Sequence, residues 1–386
     1  MDESMTTAPA PPETGPPEHQ PVFNGSGDEY FRIWIVNLLL SIVTLGIYSA
    51  WATVRNRRYL YGSTTLDGHH FDFHANPIPI LKGRVLAVAL LLIYLLGGYL
   101  HVAMPPLAAA AFVLGFPWLM VKSLRFRLYN SSYRGIRFGF LGRPIDAYKA
   151  LWVPVLMFIT AFALIVFSTL DTLGVETAPD ELPPAPQWGM LLAGMLLNFV
   201  AVPFFARRMQ SFMLNNLAYG DQAATAQLAL GPFWAAFGVV IGLGFLAGFI
   251  GTVAAVLVGL LAAVSNNLVI TMILIYIVFG MAYLLPWAAW HCRISNYTTS
   301  QTSFGAVRLR LALELGKYYG ILVGNAFIAI CTLGLAIPYT KVRMIRYKLS
   351  RLTVIGDLDT FTGSSSADPS ALGEEIAEAF DIEVGF

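Results

Sequence analysis

Residues 30–59 read YFRIWIVNLLLSIVTLGIYSAWATVRNRRY, and residues 318–347 read YYGILVGNAFIAICTLGLAIPYTKVRMIRY. The two stretches align without a gap, and eleven of thirty positions are identical. The matches include Tyr30/Tyr318, Asn37/Asn325, Thr44/Thr332, Gly46/Gly334, Arg55/Arg343, Arg58/Arg346 and Tyr59/Tyr347. Shared apolarity alone does not put an Asn, a Thr-Leu-Gly and paired Arg at one spacing, so the chain carries a true duplication. Each copy reads as an apolar helix, a break at Thr-Leu-Gly and a basic helix. Gly46 and Gly334 permit the break, and Asn37 and Asn325 stand ready to cap the backbone groups it frees.

A weaker form of this unit recurs in between. Apolar segments end in Pro117-Trp118, Pro203-Phe204 or Pro286-Trp287, where the first copy has Ala50-Trp51. A polar helix follows, then a Ser or Asn (Ser63, Asn130, Asn216, Asn296), then turn residues at Asp67-Gly68, Arg134-Gly135, Gly220-Asp221 or Ser300-Gln301. Alternation in Phe71-Asp-Phe73 and Phe138-Gly-Phe140 predicts short strands after those turns. The expected unit is a membrane hairpin, an interfacial aromatic, a short basic helix and a polar β-hairpin.

Composition sets the solvent. Of 386 residues, 56% are hydrophobic and 12% are charged, with a net charge of +1. Soluble domains carry roughly 25% charged residues, so much of this surface faces lipid. Near-zero net charge implies no nucleic-acid partner. Apolar stretches at 85–102, 107–121, 150–170, 188–206, 234–263 and 268–290 approach or exceed the roughly 20 residues that cross a bilayer. Two more lie at 30–52 and 318–340. Apart from Arg32 their interiors hold no Asp, Glu, Lys or Arg, which argues against an ion-coupled carrier.

The 24 Lys and Arg cluster between the segments. If all eight stretches cross, the basic residues split 18 to 6 across the membrane. If 30–52 and 318–340 do not cross, the split is 24 to 0 and both termini are cytoplasmic, as the positive-inside rule prefers. The fold expected is therefore an all-α polytopic membrane protein of repeated helical hairpins with short cytoplasmic β-hairpins. It has six spans plus two re-entrant elements, eight spans being the alternative. Residues 1–22 read as a Pro-rich disordered tail, 23–361 as the membrane domain and 362–386 as a disordered acidic tail.

Phe23-x-Gly25-x-Gly27-x-x-Tyr30-Phe31, Asn37-Leu38-Leu39, Thr44-Leu-Gly-Ile-Tyr48-x-x-Trp51, Arg58-Tyr59-Leu60-Tyr61 and the late Gly356-Asp357-Leu358-Asp359 resemble the YjgN-like family of bacterial inner-membrane proteins. The similarity runs over most of 22–360, with Ala50 where the family pattern has Pro. The resemblance implies an inner-membrane location and a fold, and transfers no catalytic residue.

The densest polar cluster is Asp67-Gly-His69-His70-Phe-Asp72-Phe-His74. On a strand, His70, Asp72 and His74 share a face with metal-ligand chemistry; a solvated hairpin face is the plainer reading, and no metal or cofactor is assigned. No phosphate loop, HExxH or GxSxG pattern occurs, so the expectation is a non-enzymatic protein. Arg55, Arg58, Arg343 and Arg346 are candidate contacts to anionic lipid headgroups. Asn37, Thr44, Gly46, Asn325, Thr332 and Gly334 are the candidate intramembrane polar and turn residues. A lipid- or partner-binding assembly is the first functional reading, and a passive conduit for a small neutral or amphipathic solute lined by Asn37, Thr44, Asn325 and Thr332 is the second.

Overall fold

A computed structural model describes residues 16–101, 104–173, 187–265 and 268–361. Helical hairpins alternate with β-hairpins along the chain. Helices α1 (Gly27–Val43) and α2 (Ser49–Gly62) lead to strands β3 (Thr64–Leu66) and β4 (His69–Phe73). Helices α3 (Pro77–Leu100) and α4 (Met104–Tyr129) lead to β5 (Ser131–Tyr133) and β6 (Ile136–Phe140). Helices α5 (Pro144–Leu173) and α6 (Trp188–Leu214) lead to β7 (Leu217–Tyr219) and β8 (Gln222–Ala226). Helices α7 (Gly231–Ser265) and α8 (Leu268–Ser300) lead to β9 (Thr302–Phe304) and β10 (Val307–Leu311). Helices α9 (Leu315–Cys331) and α10 (Ile337–Leu349) lead to β11 (Leu352–Ile355). Two short strands precede them all, β1 (Glu18–His19) and β2 (Val22–Phe23).

Local chemistry explains the boundaries. Ser26 Oγ accepts from Glu29 N–H at 3.1 Å and starts α1; Asn76 Oδ1 accepts from Ile78 N–H at 3.0 Å and starts α3, with Pro77 at its first position. Both central residues of the Asp67-Gly68 and Arg134-Gly135 turns have positive φ (48° and 74°, 49° and 78°). That is the two-residue turn whose twist suits a hairpin.

The strands form one antiparallel sheet in the order β1-β11-β10-β9-β8-β7-β6-β5-β4-β3-β2. Its two edges, β1 and β2, are separated only by Gln20 and Pro21, so one segment holds both edges together. The registers show what this segment is. His19 opposes Val354 as His69 opposes Leu66 within the first hairpin. Phe23 opposes Thr64 as Phe73 opposes Ser131, Phe140 opposes Leu217, Ala226 opposes Thr302 and Leu311 opposes Leu352. Residues 18–23 are therefore the second strand of a fifth β-hairpin whose first strand is β11. Pro17 and Gly356 fall where the other four hairpins turn, and Gly356 N–H donates to Pro17 O at 2.9 Å across that point. The helices follow the same circuit: α2 packs on α3, α4 on α5, α6 on α7, α8 on α9, and α10 back on α1.

Two expectations are corrected here. The fold is not all-α with isolated short hairpins, because all the described strands join into one curved, barrel-like sheet with its own core of Leu66, Tyr133, Tyr219, Val307, Val354 and Leu358. Each strand is too short to hold alone; pairing between units supplies the partners. The span count also differs. Five described helical segments are long and apolar enough to cross a membrane: Pro77–Gly97, Pro144–Thr169, Trp188–Leu214, Gly231–Leu260 and Val269–Ser300. The 107–121 stretch lies in α4, which runs on through Lys122, Arg125 and Arg127. Stretches 30–52 and 318–340 are each two helices joined by a turn, so eight continuous spans are not formed. Residues 18–22, placed in the disordered tail by composition, are part of the strand segment 18–23; residues 1–15 and 362–386 lie outside the described residues.

Candidate functional site

The turns of the two duplicated hairpins repeat the same threonine bonds and backbone angles. Thr44 Oγ1 donates to Leu40 O at 2.7 Å and accepts from Tyr48 N–H at 2.9 Å. Thr332 Oγ1 donates to Ile328 O at 2.7 Å and accepts from Ala336 N–H at 3.1 Å. Leu45-Gly46 and Leu333-Gly334 both take positive φ (49° and 90°, 50° and 86°). The candidate residues Thr44, Gly46, Thr332 and Gly334 thus build the turns, and their polar groups are engaged there. The turn leaves Leu45 95% and Leu333 93% exposed at the hairpin tips, as expected of surface that meets lipid.

Asn37 and Asn325 behave differently. Asn37 is 2% exposed, and its Nδ2 donates to Asn56 Oδ1 at 2.9 Å. Asn325 Nδ2 donates to Thr340 O at 3.1 Å. Both Oδ1 atoms are buried without a hydrogen-bond partner. The two asparagines tie the arms of their own hairpins together, α1 to α2 and α9 to α10.

The basic residues sort into two sets once the strands give a common frame. Six residues before the first strand stand Arg58, Arg125, Ser211, Asn296 and Arg346. Four of these clasp the chain that leaves a β-strand: Arg58 Nε to Phe73 O at 3.4 Å, Arg125 Nη2 to Gly142 O at 2.9 Å, Asn296 Nδ2 to Leu313 O at 2.9 Å, and Arg346 Nη2 to Gly25 O at 2.7 Å. In the third unit Arg207 Nε takes over, donating to Leu228 O at 2.8 Å. Arg58 and Arg346 are thus latches of the fold.

Nine residues before the first strand stand Arg55, Lys122, Arg208, Arg293 and Arg343, a basic residue in every unit. One turn earlier stand Trp51, Trp118, Phe204, Ala289 and Tyr339, aromatic in four of five. The Arg208 guanidinium lies 5.2 Å from the Phe204 ring centre, and its Nε is buried without a hydrogen-bond partner. Arg55, Arg293 and Arg343 are exposed, whereas Lys122 is buried. Sequence reading found Arg55 and Arg343 but missed their three equivalents, because it set the fourth unit out of frame. Helix α8 runs on to Ser300, so the turn expected at Ser300-Gln301 lies at Gly305, whose φ is 56°.

The histidine cluster is occupied by local bonds. His70 Nδ1 lies 2.7 Å from Gly62 O, and His74 Nε2 lies 2.8 Å from Ser132 Oγ. Among the described residues no three His, Cys, Asp or Glu gather as a metal site.

Inside the ring the hairpins pool their aromatics. Phe71 stacks on Tyr133 at 4.7 Å and Phe138 packs on Tyr219 at 4.8 Å. Tyr133 donates to Leu66 O and Tyr219 to Tyr133 O, each at 2.8 Å. Burial raises the phenol of Tyr133 and pushes that of Tyr219 up to about 12. The Gly356-Asp-Leu-Asp motif enters this space: Leu358 is buried among the ring residues and Phe361 sits edge-on to Tyr219 at 4.7 Å. Above the ring, an apolar cavity of about 470 Å³ lies between α5, α6 and α8, lined by Phe158, Val202, Phe205, Met209, Gln210 and Trp290 among others.

The strand segment that closes the ring begins at Glu18, and a family model described as "Bacterial protein of unknown function (DUF898)" matches residues 18–379. The chain belongs to this family. Among relatives, the inner membrane protein YjgN of Escherichia coli (strain K12) is 27% identical over 374 residues, covering 89% of this chain and 90% of that one. The inner membrane protein YjgN of Salmonella typhimurium is 31% identical over 168 residues, covering 41% of this chain and 40% of that one. No solved structure matches. With its apolar helices, this DUF898 member is a multi-pass membrane protein.

Proposed function

We propose that this protein is a non-enzymatic assembly of the bacterial inner membrane that engages anionic lipid headgroups around its circumference on the cytoplasmic side. The observation that supports this most is a belt with a basic residue at one helical position in every unit, exposed as Arg55, Arg293 and Arg343, partly buried as Arg208 and buried as Lys122, with an aromatic side chain a turn deeper in four of the five. Aromatic rings favour the interface, and basic groups beside it attract anionic headgroups by about 1 kcal/mol each. Glu18 and Phe361, the first strand residue and the last described residue, both lie at the ring, and this reading puts the ring and both termini on the cytoplasmic side. The experiment is lipid retention: mass spectrometry of the gently purified protein should find anionic lipid bound, and Arg55→Glu/Arg293→Glu/Arg343→Glu should lose it. Equal retention by that variant would overturn the reading.

A second reading is a passive conduit for a small neutral or amphipathic solute. The 470 Å³ apolar cavity with Gln210 on its wall favours it. Thr44 and Thr332, engaged in their turns, do not serve such a path. Solute flux in protein-loaded liposomes, blocked by Ala206→Trp on the cavity wall, is what this reading requires.

A further inference from the structure

In four hairpins the turn carries the chain from first strand to second. In the fifth, the second strand comes from residues 18–23, so the chain beyond β11 is released at the turn. Gly356 makes the bend with φ 129°; a Cβ there would sit 3.0 Å from Val307 Cα and 3.1 Å from Ala306 O, so only glycine fits. The released chain turns into the ring. A short 3-10 helix, Leu358–Thr360, is started by Asp357 Oδ1 accepting from Asp359 N–H at 2.9 Å. Leu358 drops among Leu66, Tyr133, Tyr219, Val307 and Val354, and Phe361 meets Tyr219. Asp359 reaches back to Arg134 Nη2 at 2.7 Å, on the turn of the second hairpin.

None of these contacts closes the ring. Every strand pairing, and the Gly356 to Pro17 bond, lies before Asp357. Among the described residues, the segment is held by two apolar side chains and one ion pair whose carboxylate is 75% exposed, and exposed pairs hold weakly. We propose that Asp357–Phe361 is a displaceable stopper seated in the aromatic cup at the turn end of the β-ring, and that it leaves and returns while the ring stays closed. Its release uncovers Tyr133 and Tyr219, an apolar, hydrogen-bonding surface facing the water side. Segments with few contacts open below the energy of global unfolding.

Native-state hydrogen exchange on the full chain in nanodiscs tests this, with acrylamide quenching of tyrosine fluorescence as a second readout. In the unaltered protein the amides of 358–361 should exchange at least tenfold faster than those of His19, Val354 and Leu309. In Leu358→Ala/Phe361→Ala the segment amides should lose protection and quenching should rise, while strand amides keep theirs. Arg134→Glu should speed segment exchange several-fold, and Arg134→Glu/Asp359→Arg should restore it. Strand amides that lose protection together with 358–361 would make the segment an integral part of the core and overturn the proposal. Unchanged segment exchange in both Leu358→Ala/Phe361→Ala and Arg134→Glu would overturn it as well.

Discussion

The guanidinium of Arg346 donates to the carbonyl of Gly25 at 2.7 Å, across 321 residues of sequence. The equivalent Arg125 makes the same bond to Gly142 within one unit. The last basic helix thus treats the start of the chain as the continuation of its own hairpin. Removing this latch should loosen ring closure. Arg346→Ala should cost about 1.5–3 kcal/mol, the worth of a charged hydrogen bond. Arg343→Ala, one turn away in the belt, should stay within about 0.5 kcal/mol as a surface change. Thermal denaturation of both in one detergent compares them; equal losses would deny Arg346 its latching role.

The two hairpin turns should respond alike. Thr44→Val and Thr332→Val each lose a donor and an acceptor bond and should each cost about 1–2 kcal/mol. Gly46→Val and Gly334→Val force a β-branched residue to positive φ and should cost about 1–3 kcal/mol. Chemical denaturation of the four variants checks this, and a large asymmetry between the copies would mean that the duplication no longer shares a structural role.

Much of this was legible in the sequence because it is local. The matching of 30–59 with 318–347 gave α1 and α9, α2 and α10, and the break at Gly46 and Gly334, since helix periodicity and turn chemistry sit within a few residues of each other. The sheet was hidden because its strands are only 2–5 residues long and find their partners in other units. Glu18–Val22 read as tail because prolines such as Pro16 and Pro17 mark the stretch as irregular; Pro21 falls between β1 and β2, where the segment passes from one partner strand to the other. The belt was half seen, as Arg55 and Arg343, because only strand register shows that Arg293 and not Asn296 is their equivalent. The latching roles of Arg58 and Arg346 needed the carbonyls they meet.

Alkaline pH should open the ring from within. Tyr133 and Tyr219 are raised from 10.0 chiefly by burial, Tyr219 to about 12. A phenol that folding keeps protonated stabilises fully below its unfolded pKa, and that stability is lost as pH rises through the folded value. The protein should hold constant stability up to about pH 9.5 and lose it toward about 12. Tyr219→Phe should flatten that loss. Tyrosinate absorbance against melting temperature would show it, and a Tyr219→Phe variant with an unaltered alkaline limb would contradict it.

Binding to anionic vesicles should fall stepwise along the belt. At about 1 kcal/mol per charge, each of Arg55→Ala, Arg293→Ala and Arg343→Ala should weaken association by roughly fivefold at low salt, and added salt should shrink the differences. Flotation with neutral vesicles should show no dependence on these residues. Losses confined to a single position would point to one local site in place of a belt.

The claim on which the rest stands is that Glu18–Phe23 and β11, from opposite ends of the membrane domain, complete one β-hairpin. His19→Cys and Val354→Cys, in a protein with Cys292 and Cys331 replaced by Ser, should cross-link within one molecule, because these positions are direct cross-strand partners. The monomer should then run faster on a denaturing gel, as a chain closed nearly end to end. The shifted pair Pro17→Cys and Leu352→Cys should link far more slowly. Failure of the 19–354 pair to link, or linking only between two molecules, would contradict the closed five-unit ring.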